Sequence, residues 1–382
     1  MKKFTSLLAA IAVSSSVEAV GISGNTYNPA ISLILDGRYA SFSQDPETYR
    51  LAGFPLVGES GPGEAGLALG ESELNLSANI DHLYYGHMTA AFAPEGELEV
   101  EESYVQTLAL GGGFNLKAGR FLSNIGYLNR QHKHSWDFAD TALAYRGMLG
   151  GRYADDGLQV TWLAPTPLFM ELSAEAMRGE GYPAAGAGNE GLGASTAAVH
   201  IGGDVGHSHS WRAGYSVLNA TADGRGELGG DLFTGDSQVS IVDAVWKWAP
   251  NGNPRQRNLV LQAEYLQRRE SGVFGPDGGQ LAYTGDQSGW YIQAVYQFMP
   301  RWRVGLRQGG LSSDNTGAGV AGTELDSAGH SPARSSLMLD FSASEYSRLR
   351  LQYNRDHSSA SADEQWMLQY TMSLGAHGAH AF

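Results

Sequence analysis

The chain has no cysteine among its 382 residues, so neither disulfides nor thiolate metal sites contribute to it. It also lacks any apolar run near the roughly 20 residues that a membrane-spanning helix requires. Basic residues are scarce: 25 Lys and Arg against 40 Asp and Glu leave a formal net charge of −15. That balance argues against nucleic acid as a partner, which calls for a basic footprint. No Gly-x-Ser-x-Gly and no His-Glu-x-x-His occurs, so the sequence offers neither a nucleophile elbow nor a zinc-protease helix, and no enzyme is expected. Gly-x-Gly-x-x-Gly does occur, at Gly61/Gly63/Gly66, Gly186/Gly188/Gly191 and Gly317/Gly319/Gly322. Each lies in an expected loop with no helix after it, which argues against dinucleotide binding.

Glycine and aromatics are abundant, with 51 Gly, 18 Tyr, 13 Phe and 8 Trp. The first nineteen residues read as a signal peptide. Lys2 and Lys3 are its charged start, Phe4 to Val13 its short apolar core, and Val17-Glu18-Ala19 its cleavage site. Cleavage leaves 363 residues (382 − 19), residues 20–382, read as one domain. If that domain enters a membrane without a long apolar helix, it does so as a closed barrel, the remaining way to satisfy every backbone group in lipid.

The last stretch shows the pattern most clearly. Trp366, Leu368, Tyr370, Met372 and Leu374 alternate with Gln365, Met367, Gln369, Thr371 and Ser373, a period of two with one apolar and one mostly polar side. Similar segments recur at 30–42, 68–81, 83–93, 97–110, 114–121, 157–164, 168–178, 193–203, 208–221, 237–248, 257–269, 287–298, 301–311, 334–342 and 346–356. With the closing strand they make sixteen, and long and short connections alternate between them. Even strand number and alternating loop length are the signature of an all-β, antiparallel up-and-down transmembrane barrel, short turns on the periplasmic side and long loops outside.

Facing follows from the same alternation. Trp302, Val304 and Leu306 oppose Arg301, Arg303 and Arg307; Leu349 and Leu351 oppose Arg348 and Arg350; Leu98 and Val100 oppose Glu97, Glu99 and Glu101. A lipid-facing Arg or Lys at mid-membrane costs about 2–4 kcal/mol, so these charges, with Arg120, are expected to line a wet lumen or its rims. The arginines form an anion-attracting ladder or pair across the lumen with Glu97, Glu99, Glu101, Glu171 and Glu175; the number of inward acids favours pairing. Trp136 and the tryptophans near strand ends (Trp162, Trp211, Trp246, Trp248, Trp290, Trp302, Trp366) read as interface girdles.

The 35-residue connection 122–156 is long for a barrel loop. Within it His132 and His134 are one residue apart, as are His207 and His209 further on, so each pair projects to one side of an extended backbone. Imidazole is a common zinc ligand, and Asp137 or Asp140 is placed to complete a site beside His132 and His134. His377 and His380 form a third cluster near the end.

The run Lys117-Ala118-Gly119-Arg120-Phe121, Gly126-Tyr127-Leu128-Asn129, His132, His134, Trp136-Asp137-Phe138 and Asp140 resembles the third-loop region of phosphate-selective-porin-like barrels. Other stretches resemble a porin-like family often catalogued as zinc-regulated, TonB-dependent outer-membrane receptors. These are Gly70-Glu71-Ser72-Glu73-Leu74, Ser77-Ala78-Asn79-Ile80-Asp81, Trp246-Lys247-Trp248-Ala249-Pro250-Asn251-Gly252-Asn253-Pro254-Arg255, Gln297-Phe298-Met299-Pro300-Arg301-Trp302-Arg303 and Ser373-Leu374-Gly375-Ala376-His377-Gly378-Ala379-His380. The first strand starts too soon after the signal to leave room for a receptor plug. The resemblance implies a Gram-negative outer-membrane barrel, usually trimeric, with its third loop folded into the pore. His132, Lys133, His134, Asp137 and Asp140 would then stand at the constriction, and the terminal Phe382 strand would address the barrel to its assembly machinery. Passive diffusion of small solutes or ions is the function expected. A zinc-responsive protein that binds or takes up Zn²⁺ is the alternative, and a non-conducting structural or adhesive barrel the third.

Overall fold

Strand β1 (Ala30–Phe42) hydrogen-bonds along its length to the last strand, β17 (Asp363–Gly375), from Ser32 opposite Gly375 to Phe42 opposite Gln365. This pairing closes the sheet into a barrel, so no edge is left exposed to lipid. The computed structural model describes residues 29–92, 98–108, 110–186, 189, 191–226, 230–276 and 281–375. The expected signal peptide, Glu97, His377, His380 and Phe382 lie outside the described residues.

Around the barrel follow β2 (Gly66–Leu69), β3 (Ser72–Asn79), β4 (Tyr84–Phe92), β5 (Leu98–Thr107), β6 (Phe114–Leu122), β7 (Ala154–Leu163), β8 (Phe169–Met177) and β9 (Ala194–Val205). The other half contains β10 (His209–Gly226), β11 (Asp231–Trp248), β12 (Asn258–Pro276), β13 (Leu281–Met299), β14 (Trp302–Gly317), β15 (Ala333–Ser344) and β16 (Ser347–Asp356). All neighbours are antiparallel. Strands β2 and β3 both pair with β1 and are one crossing interrupted at Gly70-Glu71, so the seventeen segments make sixteen crossings. At the interruption a Cβ on Gly70 would lie 2.7 Å from Asp36 Cγ, so a residue without a side chain is required there.

Outward positions are apolar and exposed (Leu35, Leu116, Val242, Ile292, Leu306, Leu351, Leu368), the pattern of a lipid-facing wall. Aromatic pairs mark the strand ends: Phe114 with Trp162, Trp302 with Phe341, and Tyr353 with Trp366. Trp136 departs from the girdle expectation, for it is buried inside the barrel at 5% exposure.

Strands β10 to β14 continue several residues further at the long-loop end than their apolar alternation suggests. There the outward residues are polar and exposed (Thr234, Arg269, Ser271, Thr284), while Ala222, Phe233, Phe274 and Tyr283 pack inward with Val320 and Leu325. Strand standing in water needs no apolar outer face, so in sequence these extensions read as loop.

Candidate functional site

The third long connection, residues 123–153, folds into the lumen and carries helix α1 (Leu143–Leu149). Its first turn is pinned to the wall. Glu175 of β8 accepts the Asn124 amide at 2.7 Å, and Ser216 of β10 accepts the Gly126 amide at 3.1 Å. Glu264 of β12 accepts the amides of Tyr127 and Leu128 at 3.0 and 2.9 Å and the Tyr145 hydroxyl at 2.8 Å. Gly126 has φ +59°, and a Cβ there would meet Glu264 Oε2 at 2.5 Å, so only glycine allows this approach. Asn129 ties the base of the loop, donating to the carbonyls of Ser123 and Tyr153 and accepting the Tyr153 amide at 2.7 Å.

The apolar face of the loop makes a core inside the barrel. Leu128, Trp136, Leu143, Tyr145, Met148 and Leu149 pack with Tyr49, Leu51 and Phe54 of the first long loop and with wall residues such as Leu218, Val239, Ile241 and Leu266. Each such side chain, fully buried, contributes about 1.5–3 kcal/mol, so the loop is held by packing as well as by hydrogen bonds.

Toward β14–β16 the attachment is ionic. Asp140 is bridged by Arg307, by Arg334 at 2.7 Å and by Arg146 at 3.3 Å, and it accepts from Gln352 at 2.7 Å and Asn354 at 3.2 Å. Burial pushes its carboxyl up, but the charges of Arg307, Arg334 and Arg146 outweigh that and hold it well below the usual range. Asp137 pairs with Arg303 at 2.8 Å, while Arg348 and Arg350 donate to the carbonyls of His134 and Trp136, each at 2.6 Å. The inward arginines are thus paired with loop acids and carbonyls.

Several sequence placements are corrected. Arg120 shares the outward parity of Leu116 and Ala118 and bridges Asp156 at 2.7 Å and Glu180 at 3.4 Å near the long-loop rim. Arg301 sits in the short turn before β14, exposed, with φ +72°. Glu99 is exposed near the long-loop end of β5. Glu175 accepts from loop and wall donors, and Glu171 meets Arg130 at 3.6 Å, so neither braces the expected arginines. Asp137 and Asp140 face arginines, leaving neither to complete a metal site beside His132 and His134. His209 stacks on Trp246 at the short-turn end, and no potential metal cluster among the described residues includes His207 or His209.

His132 and His134 instead meet a carboxylate wall. His132 Nε2 is 2.8 Å from Glu102 Oε2, and its Nδ1 is 3.5 Å from Glu101 and 3.7 Å from Glu73. His134 Nδ1 is 3.0 Å from Glu73. Lys133 bridges Glu59 and Glu71, and Arg152 bridges Glu101. Burial opposes a charge on His132, but the carboxylates of Glu101, Glu102 and Glu73 prevail and raise its imidazole to about 10. The sequence concealed part of this cluster. A bulge where Thr89 faces Glu102 and Ala90 faces Val100 leaves Glu101 as an extra residue, so both Glu101 and Glu102 serve the interior.

Below the loop, toward the short turns, lies a cavity of about 740 Å³. Lys117, Arg130, Arg212, Lys247, Glu102, Asp137 and Glu171 are the charged groups on its lining, with His87, His132 and His134. Lys117 stands over the Tyr104 ring at 4.4 Å and forms no salt bridge among the described residues.

No family model matches the sequence. An uncharacterised protein of Aquifex aeolicus (strain VF5) is 30% identical over 390 residues, covering 94% of this chain and 81% of that protein. Among solved structures, the trimer form of the Vibrio cholerae outer-membrane protein OmpT aligns with a TM-score of 0.56 and 10% identity over 91% of this chain and 99% of that one. The outer-membrane channel DcaP of Acinetobacter baumannii aligns with a TM-score of 0.54 and 14% identity over 91% and 96%. The anion-selective porin of Comamonas acidovorans gives 0.52 and 11% over 91% and 99%. At these identities the likeness is one of fold. The chain therefore belongs to one family with the Aquifex aeolicus protein, and its fold is the sixteen-crossing antiparallel barrel of outer-membrane porins.

Proposed function

We propose that the protein is a channel of the Gram-negative outer membrane for passive diffusion of small polar solutes or ions, assembled as a homotrimer. The observation that carries this reading is the charged cavity of about 740 Å³ beneath an inward loop. A purely structural barrel has no use for a cavity lined by Lys117, Arg130, Arg212 and Lys247. The inward loop 123–153 narrows the lumen and positions His132, Lys133, His134 and Asp137 at its waist; Asp140, buried among arginines, acts there as a tether. The channel and porin titles of the solved neighbours, and the trimer form of one, support the same reading.

The test is planar-bilayer recording of refolded residues 20–382, with folding verified by β-sheet circular dichroism and oligomer mass by light scattering. Steady ohmic steps from a trimer support the proposal. Verified folded protein that gives no steps refutes the channel and leaves a structural or adhesive barrel.

A further inference from the structure

The bulge in β5 sets Glu102 between two imidazoles carried by different elements. Its Oε2 lies 2.8 Å from His132 Nε2, on the inward loop, and 3.9 Å from His87 Nε2, on β4. Donor atoms of the three residues all lie within 4.8 Å of one another. The cluster forms only when β4 and β5 are paired and the loop is docked.

We propose that His87, Glu102 and His132 bind a divalent first-row transition cation at the wall of the lumenal cavity. Two imidazole nitrogens and one carboxylate oxygen are a donor set suited to Zn²⁺, Co²⁺ or Ni²⁺, with a position left for water. Ca²⁺ and Mg²⁺ prefer shells of oxygen and are poorly served. The surroundings fit as well. A metal-bound imidazole donates its other ring N–H to a carboxylate, and His132 Nδ1 faces Glu101 at 3.5 Å and Glu73 at 3.7 Å. His87 Nδ1 has no hydrogen-bond partner among the described residues, so that ring is not held through its second nitrogen.

Two interactions have to yield: the His132 Nε2–Glu102 Oε2 contact at 2.8 Å, whose proton the ion replaces, and one at His87. His87 Nε2 is 2.9 Å from Thr89 Oγ1, and a metal taking that nitrogen displaces this contact, while Thr89 keeps its bond to Asn75 at 2.6 Å. Glu102 Oε1 accepts the Leu122 amide at 3.1 Å, which leaves Oε2 for the ion. Charge favours the exchange. Glu59, Glu71, Glu73, Glu101 and Glu102 stand against Lys133 and Arg152, which bridge them, and Lys117, whose charge acts on Glu102. Once the ion has displaced the His132 proton, five minus three leaves two negative charges, which one dication balances. His87, Glu102 and His132 all line the cavity, so an ion within it meets all three.

The proposal does not depend on conduction, and its test measures binding. Refolded full-length barrel in detergent is titrated with Co²⁺ at pH 8, where the cation has to displace the proton that the neighbouring carboxylates hold on His132, and visible d–d absorption is followed. Zn²⁺ and Ca²⁺ are then added as competitors. The expected result is one saturable Co²⁺ per chain, displaced by Zn²⁺ and indifferent to millimolar Ca²⁺. His87→Ala and Glu102→Gln should each weaken binding about tenfold or more, and His209→Ala should leave it unchanged. If His87→Ala does not fold, His87→Gln gives the same reading. Absence of saturable absorption by folded barrel, equal competition by Ca²⁺, or undiminished affinity in both variants would overturn the site.

Discussion

Arg334 of β15 reaches Asp140 of the inward loop at 2.7 Å, 194 residues away in sequence. Its other guanidinium nitrogen holds Asp356 at 2.6 Å, so one wall side chain joins the loop to the rim of β16. With Arg307 and Arg146 on the same carboxylate, this is the anchor opposite the His132–Glu102 contact, and the loop is strung between the two.

Asp140→Asn removes the charge and leaves three arginines facing a neutral amide. Breaking a buried pair from one side costs about 3–5 kcal/mol. The variant should keep its barrel, since the loop does not pair strands, but its loop should loosen. Limited proteolysis within 123–153 at unchanged β-sheet signal is the expected outcome; a loop as resistant as the wild type would remove Asp140 from its anchoring role.

The same carboxylate sets an acid limit. Because the Asp140 carboxyl is held below its ordinary value of 3.8 when folded, its contribution to loop docking is fully present above that value. It is lost as pH falls through the lower, folded value. Loop protection should therefore persist at pH 5 and fail only in strong acid. Loss already at pH 5, read by proteolysis or hydrogen exchange of the loop, would contradict the arginine-stabilised anion.

Lys117 gives a prediction about selectivity. It faces the cavity with aromatic rings as its neighbours and no salt bridge among the described residues, whereas Asp137 and Glu171 on the same lining are matched by Arg303 and Arg130. Lys117→Gln should shift the reversal potential under a salt gradient toward cations with little change in conductance. An unaltered reversal potential would show that permeating ions do not sense this charge.

Much of the barrel was legible because lipid enforces a strict rule: outward positions must be apolar, so period-two alternation and loop asymmetry mark the crossings. The rule lapses where lipid ends, and that is where the reading fell short. The long-loop extensions of β10–β14 carry Thr234, Ser271 and Thr284 outward and looked like loop. Alternation alone puts Arg120 and Arg301 inward on strands, whereas one stands at the outer rim and the other lies in a turn. The histidine pair was visible, but its true neighbours were not. Glu73, His87, Glu101 and Glu102 reach it only through the pairing of β3, β4 and β5, the docking of the loop and a one-residue bulge, and none of these leaves a period in the sequence.

The most direct test of a channel narrowed by its third loop is single-channel conductance of refolded barrel with and without residues 126–145, both verified as folded by β-sheet circular dichroism. The account predicts ohmic steps from both proteins and clearly larger steps from the shortened one. Equal conductance, or no steps from either, would contradict it.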